Sequence, residues 1–179
     1  MLKVFIPYAY AKNIYDIDIE FYKALNIKII FCDLDNTLDP YFRLVPSEAA
    51  HELSKKLEEN NIKLVVVSNN TKTRVKRYAD QLGCEFISSA RKPFTMKTRK
   101  YIKNGNISKN DCLIIGDQIF TDVIFGNRLK IKTILCDNLV SKDQFFTKFN
   151  KFFDRFIRKS LFKRKKMIFW EDRLNGKTQ

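Results

Sequence analysis

A chain of 179 residues suits one compact domain with a modest appendage, and 45% apolar residues suffice for a core. Thirty-four Lys and Arg against 20 Asp and Glu leave a formal charge of +14, which favours anionic partners such as nucleic acid, phospholipid surfaces or phosphorylated metabolites. The richness in Lys, Asn, Ile and Phe would equally follow from AT-biased coding, so charge alone names no partner. No run approaches ~18 consecutive apolar residues, which excludes a spanning helix, and residues 1–10 lack the pattern of a secretory leader.

Short apolar runs alternate with longer amphipathic segments. Residues 1–27 are expected as a helix or arm packed on the core. Residues 28–33 (KIIFCD) predict a buried strand. Residues 47–60 predict a helix, with Ser47 as N-cap and Ala49, Ala50, Leu53 and Leu57 at helical spacing. A β-branched strand follows at 63–68, then a helix at 71–82 that Gly83 stops. A short strand at 84–88 precedes a helix at 94–104. Residues 112–116 (CLIIG) predict a strand, 120–129 a helix and 132–136 a last strand. Cys32, Cys84, Cys112 and Cys136 form no C-x-x-C pair and sit in or beside apolar runs. They read as small buried hydrophobes in a reducing cytosol, not as zinc ligands.

This β-α-β-α rhythm implies an α/β fold with a doubly wound parallel sheet, spanning 28–137. Ligands of such folds sit beyond the carboxyl ends of the strands. The polar residues at those ends are Asp33 and Asp35, then Ser68 and Asn69, then Arg91 and Lys92, then Asp117. Three acids, a hydroxyl and cations make one chemically coherent set. Asp33 and Asp35 stand two apart where a strand ends, and close carboxylates can divide their work. One stays ionised as nucleophile or metal ligand, while the other's pKa rises and suits it to proton transfer. A solvated acid pair in a turn is the plain alternative for Asp-x-Asp alone. Lone His51 lies in a predicted helix away from these residues and reads as structural.

Four strings in order carry a resemblance: Asp33-Leu34-Asp35-Asn36-Thr37, Ser68 closing VVVSNN, Lys92 in ARKP, and Gly116-Asp117-Gln118-Ile119-Phe120-Thr121-Asp122. The chain resembles haloacid-dehalogenase (HAD) superfamily phosphatases. With its basic C-terminal helix and Gly126-Asn127-Arg128, it is most similar to the YqeG-type branch of subfamily IIIA, which resembles phosphatidylglycerophosphate phosphatases. The resemblance implies a HAD-like, Rossmannoid fold and a Mg²⁺-dependent phosphoric monoester hydrolase. Asp33 would form an aspartyl-phosphate, and Asp35 would protonate the leaving oxygen. Asp33, the backbone oxygen of Asp35, and Asp117 would hold Mg²⁺, with Asp122 a further ligand or a partner behind one. Lys92 would balance charge on the nucleophile and the transferring group. Ser68 and Asn69 would contact phosphate, Thr37 would join them or brace the loop, and Arg128 is a candidate phosphate contact or simply a helix end. A receiver domain has a similar residue set, but its phosphorylated Asp follows the third strand; here the acids follow the first.

Only 34 residues separate Asp33 from Ser68, and 23 separate Ser68 from Lys92, so neither interval holds a substantial cap domain. An open site suits a large or anchored phosphate monoester: a lipid headgroup, a phosphoprotein or a nucleic-acid end. Residues 138–179 form a basic amphipathic extension. A helical wheel from Phe145 sets Phe149, Phe152, Phe153 and Phe156 on one side, with Lys148, Lys151, Arg155, Arg158 and Lys159 on the other. Two uses stay open for it: docking on the core, or meeting an anionic membrane surface at the inner face of the membrane. Nucleic acid fits the charge but finds no aromatic-basic recognition motif. The alternatives to a lipid phosphatase are a phosphatase of nucleic-acid ends or phosphoproteins, and a non-enzymatic basic module for RNA or ribosomes. The oligomeric state stays open.

Overall fold

The computed structural model describes residues 3–140 and 148–176. Six strands run in chain order: β1 (Ala9–Ala11), β2 (Ile29–Cys32), β3 (Lys63–Val67), β4 (Glu85–Ile87), β5 (Cys112–Gly116) and β6 (Lys132–Cys136). They form one sheet in the order β1-β6-β5-β2-β3-β4, every pair parallel. Period-two alternation divides the side chains between two buried faces. Ile30, Cys32, Leu64, Val66, Leu113 and Ile115 point to one core layer, and Phe31, Val65, Val67 and Ile114 to the other. A strand buried on both faces must be apolar at every position, which is why these segments read as continuous hydrophobic runs.

The helices α1 (Ile19–Ala24), α2 (Glu48–Glu59), α3 (Lys72–Leu82), α4 (Met96–Asn104), α5 (Ile124–Leu129), α6 (Lys148–Lys163) and α7 (Trp170–Leu174) cover the sheet. Ser47 caps α2 by accepting from Ala50 N (3.2 Å), and Gly83 ends α3 at φ 72°. Strand order reverses between β2 and β5. A crevice opens there beyond their carboxyl ends. No domain is inserted beside it: residues 33–47 are loop, and α2 follows directly.

Two outer segments differ from expectation. Residues 3–27, expected as a helix or arm packed on the core, also contribute a strand to the sheet. Ala9, Tyr10 and Ala11 pair with Ile134, Leu135 and Cys136 as the edge of the sheet, and Phe21 and Tyr22 are buried in the main core. The C-terminal extension also docks differently. Leu161 is fully buried against Ile119, Val123 and Leu135, so the core-facing stripe of α6 is Asp154, Ile157, Arg158 and Leu161. Arg158, expected on the solvated cationic side, therefore faces inward, whereas Phe156 is 68% exposed. The reason is polar: Asp154 accepts from Ile119 N (2.7 Å), and Arg158 spans Asp154, Asp137 and the carbonyls of Cys136 and Asp117. Phe145 lies outside the described residues, as do the side chains of Lys148, Phe149, Lys151 and Phe152.

Candidate active site

Asp33 follows β2 and Asp117 follows β5, which are adjacent strands, so a part-buried and a buried carboxylate meet at the switch point. The hydroxyl of Thr37 lies between them, 3.5 Å from Asp33 Oδ2 and 3.4 Å from Asp117 Oδ1. Lys92 arrives from the loop after β4. Its Nζ donates to Asp33 Oδ1 (2.5 Å) and to Asp122 Oδ1 (2.6 Å) with only 3% of the side chain exposed. Asn69 fixes this lysine by its backbone, accepting from Lys92 N (2.6 Å) and donating to Lys92 O (3.1 Å).

Residues 120–129 were expected as one helix. They begin instead with a π-helical turn, Ile119–Val123, before α5. Such wide turns recur at functional sites. This one turns Asp122 back under the loop, where Oδ2 accepts from Gln118 N (3.1 Å) and Thr121 Oγ1 (3.1 Å). Gly116 makes the approach possible: a Cβ there would stand 2.3 Å from Asp122 Cγ.

Burial raises the Asp33 pKa from 3.8 to about 7, opposed by Lys92 and assisted by Asp122. Asp117 is also pushed well above the carboxylate range, chiefly by burial and then by Asp33 and Asp122. Burial alone would lower the Lys92 pKa, but the attraction of Asp122 and Asp33 outweighs it and the ammonium is held charged. Three carboxylates thus crowd around one buried ammonium that bonds two of them, Asp33 and Asp122, an arrangement that a divalent cation would relieve.

The donor set fits a hard cation. Asp33 and Asp117 offer carboxylate oxygens and the Asp35 backbone offers another, leaving room for the water that Mg²⁺ retains. Among the described residues no three acidic, His or Cys side chains form a cage for a metal ion.

A cavity of about 540 Å³ opens above this arrangement. Asp33, Asp35, Ser68, Asn69, Asn70 and Lys92 form its floor, with Tyr41, Phe42, Leu44 and Arg74 at the side. Ser68 is 2% exposed; its Oγ accepts from Asn70 N (3.0 Å) and lies 3.5 Å from Asp35 Oδ2. Asp35 is the most heavily bonded acid of the floor. Arg74 donates to its Oδ1 from Nε (3.1 Å) and Nη2, and Asn70 Nδ2 reaches Oδ2 at 3.2 Å.

A sequence profile of the mitochondrial PGP phosphatase family matches residues 2–141. The chain belongs to this family. The "Probable phosphatase YqeG" of Bacillus subtilis (strain 168) is 41% identical over 170 residues, 95% of this chain and 98% of that one. Two solved structures share the fold at low identity. A putative 3-deoxy-D-manno-octulosonate 8-phosphate phosphatase from Vibrio cholerae superposes with TM-score 0.54 at 13% identity, covering 72% of this chain and 77% of that one. Its counterpart from Yersinia pestis gives 0.50 at 12% identity, covering 73% and 84%. This family member is a phosphoric monoester hydrolase of the HAD type.

The structure gathers Asp33, Asp35, Ser68, Lys92, Asp117 and Asp122 of the phosphatase at one edge and relocates others. Asn69 lines the cavity, but both ends of its amide are taken by the Lys92 backbone, so it positions the lysine instead of gripping phosphate. Thr37 is 1% exposed and its hydroxyl is turned to the carboxylates of Asp33 and Asp117, which it braces, not to the cavity. Asp122 accepts from Lys92 Nζ on one oxygen and from Gln118 N and Thr121 Oγ1 on the other, which places it as the partner that holds the lysine. Arg128 is exposed and donates to Pro93 O (3.2 Å), away from the cavity lining. The neighbouring Asn127 holds the carbonyls of Val4 and Ile6.

Four residues escaped the sequence reading. Arg74 and Asn70 bind Asp35. Asn138 Nδ2 donates to Asp117 Oδ2 (3.2 Å), and Arg158 donates to the Asp117 carbonyl. Asn70 was visible in VVVSNN, and Arg74 as a base in a helix first turn, where the dipole favours acids.

Proposed function

We propose that the phosphatase removes the terminal phosphate of phosphatidylglycerophosphate, with Asp33 as nucleophile and Mg²⁺ as cofactor. The observation that carries the lipid reading is the wall of the cavity. Phe42 and Leu44 stand 64% and 54% exposed beside a phosphate-sized polar floor. Apolar side chains left in water at the mouth of a charged pocket suit a substrate with a charged head and an apolar body. Membership of a family described by PGP phosphatase activity supports the same substrate.

Asp33, Asp117 and the Asp35 carbonyl would hold Mg²⁺, which would supply positive charge to offset the phosphoryl oxygens and the nucleophile. Asp33 attacks phosphorus as the ester P–O bond breaks. Asp35 gives its proton to the departing glycerol oxygen, leaving an aspartyl-phosphate. Asp35 then takes a proton from water, whose oxygen attacks that phosphorus and frees Asp33 and inorganic phosphate. Lys92 stays charged throughout and, anchored by Asp122 and Asn69, stabilises the transferring group without reorganising. Ser68 holds a phosphoryl oxygen.

The test is a substrate panel with the full chain and Mg²⁺: phosphatidylglycerophosphate in anionic vesicles, a 5′-phosphorylated oligonucleotide and a phosphopeptide. Phosphate release is expected chiefly from the lipid, lost with a chelator and lost in Asp33→Asn. Preference for the oligonucleotide or the peptide refutes the lipid assignment. Full turnover by Asp33→Asn, with contaminating phosphatase excluded, refutes the nucleophile.

A further inference from the structure

Two cations line the cavity, and they differ in what they can still bind. Lys92 is enclosed between Asp33 and Asp122. Arg74 stands on the other side, in the first turn of α3, with 14% of its side chain exposed. Its Nε and Nη2 meet Asp35 Oδ1, Nη2 also meets Tyr41 O (2.7 Å), and Nη1 meets Arg43 O (3.0 Å). A guanidinium has five N–H donors. These bonds use Nε, both Nη2 hydrogens and one Nη1 hydrogen, so one donor on Nη1 is left.

We infer that Arg74 is a specificity-determining residue, which receives a second anionic group of the substrate beyond the phosphate cleaved at Asp33. The inference rests on the phosphatase reading and names a substrate feature that the reaction itself does not require. The reacting phosphate lies at Asp33 beside Lys92. Asp33 and Asp35 are two residues apart, so their Cα atoms are at most roughly 7 Å from each other. Arg74, held on Asp35, therefore stands one residue beyond the acid that meets the reacting phosphate. A substrate that carries a phosphodiester close to its terminal monoester would reach both.

Charge favours the same occupant. Asp35, the carboxylate partner of Arg74, also receives Asn70 Nδ2 (3.2 Å) and faces Ser68 Oγ at 3.5 Å. An arriving phosphodiester can take the spare Nη1 donor and then draw the guanidinium into a forked contact, while Asp35 keeps Asn70 and Ser68. The two loop carbonyls that hold Arg74 belong to the segment bearing Phe42 and Leu44. The anion receptor and the apolar wall are therefore tied together, as a diester linked to acyl chains would require.

The experiment compares two soluble substrates in the full chain with Mg²⁺: glycerol 3-phosphate, and the same compound carrying a methyl phosphodiester on its other terminal carbon. The scissile ester is the same, and only the second anion differs. Wild type is expected to prefer the diester-bearing compound at least tenfold in kcat/KM, mostly through KM. Arg74→Gln is expected to bring the two within about twofold of each other, and Arg74→Lys to keep part of the preference. Absence of a preference in wild type overturns the inference without using any variant. An equal fall on both substrates in Arg74→Gln also overturns it, since that is what a mere strut for the loop would give. Turnover of neither compound or of the lipid by wild type overturns the phosphatase reading itself.

Discussion

The two sides of the cavity handle charge in opposite ways. On the Lys92 side a buried ammonium is locked between Asp33 and Asp122, with its backbone pinned by Asn69. On the Arg74 side a partly exposed guanidinium is shared between Asp35 and two loop carbonyls. A buried charge that loses its partner is costly, so the first arrangement is rigid by necessity. The second borders water and can change partners. On the reading proposed above, the rigid side would serve chemistry common to phosphate esters, and the Arg74 side would tell one substrate from another.

Removing Lys92 should have the largest effect. Lys92→Met leaves Asp33 and Asp122 without their shared cation and is expected to cost about 3–5 kcal/mol in urea unfolding, with phosphate release down at least about 100-fold. Arg74→Met should cost clearly less stability; equal losses would erase the distinction between the two sides. Arg158→Ala comes next. It removes hydrogen bonds to Asp137, Asp154, Cys136 O and Asp117 O, at an expected cost of about 1–3 kcal/mol. Activity should fall further than stability explains, because the Asp117 carbonyl loses its brace; unchanged kcat in the folded variant would make α6 a passive cover.

The metal prediction follows from Asp33, whose folded pKa is raised from 3.8 to about 7. A raised carboxyl favours the neutral form in the fold, so its contribution is full below about pH 4 and is lost as pH rises through 7. The metal-free protein should weaken across that window, while Mg²⁺ binds the ionised carboxylates that appear there. The Mg²⁺-induced rise in Tm should therefore be larger at pH 8 than at pH 5.5; scanning calorimetry at both values decides it. The smallest effect belongs to the solvent side of α6. Phe156 is 68% exposed, and Phe156→Ser should change unfolding free energy by no more than about 0.5 kcal/mol. Its effect on vesicle binding, measured by cosedimentation, separates a membrane contact from a bare surface residue.

Much of this edge was legible because each strand delivers its polar residues within a few positions of its own end. The apolar runs locate β2, β3 and β5, and Asp33, Ser68 and Asp117 follow at once. Residues chosen by a long-range partner were not legible. Arg74 is one of 34 basic residues until the fold sets it on Asp35. β1 is three residues long, and its pairing with β6 joins segments more than 120 positions apart. Arg158 looked like one more cation on a wheel, because nothing local shows that carbonyls of Cys136 and Asp117 await it.

The acid string Asp33-Leu34-Asp35-Asn36-Thr37 was determined by sequence alone, together with the parallel α/β fold and the phosphoryl-transfer class. Periodicity and strand-end chemistry are local properties that survive without coordinates. Tertiary structure decided which groups each acid meets. It set Asp122 on Lys92, spent Asn69 on a backbone, buried Thr37 between two carboxylates and gave Asp35 an arginine. The physical reason is that a buried charge takes its meaning from the groups within hydrogen-bond reach, and folding alone chooses those groups.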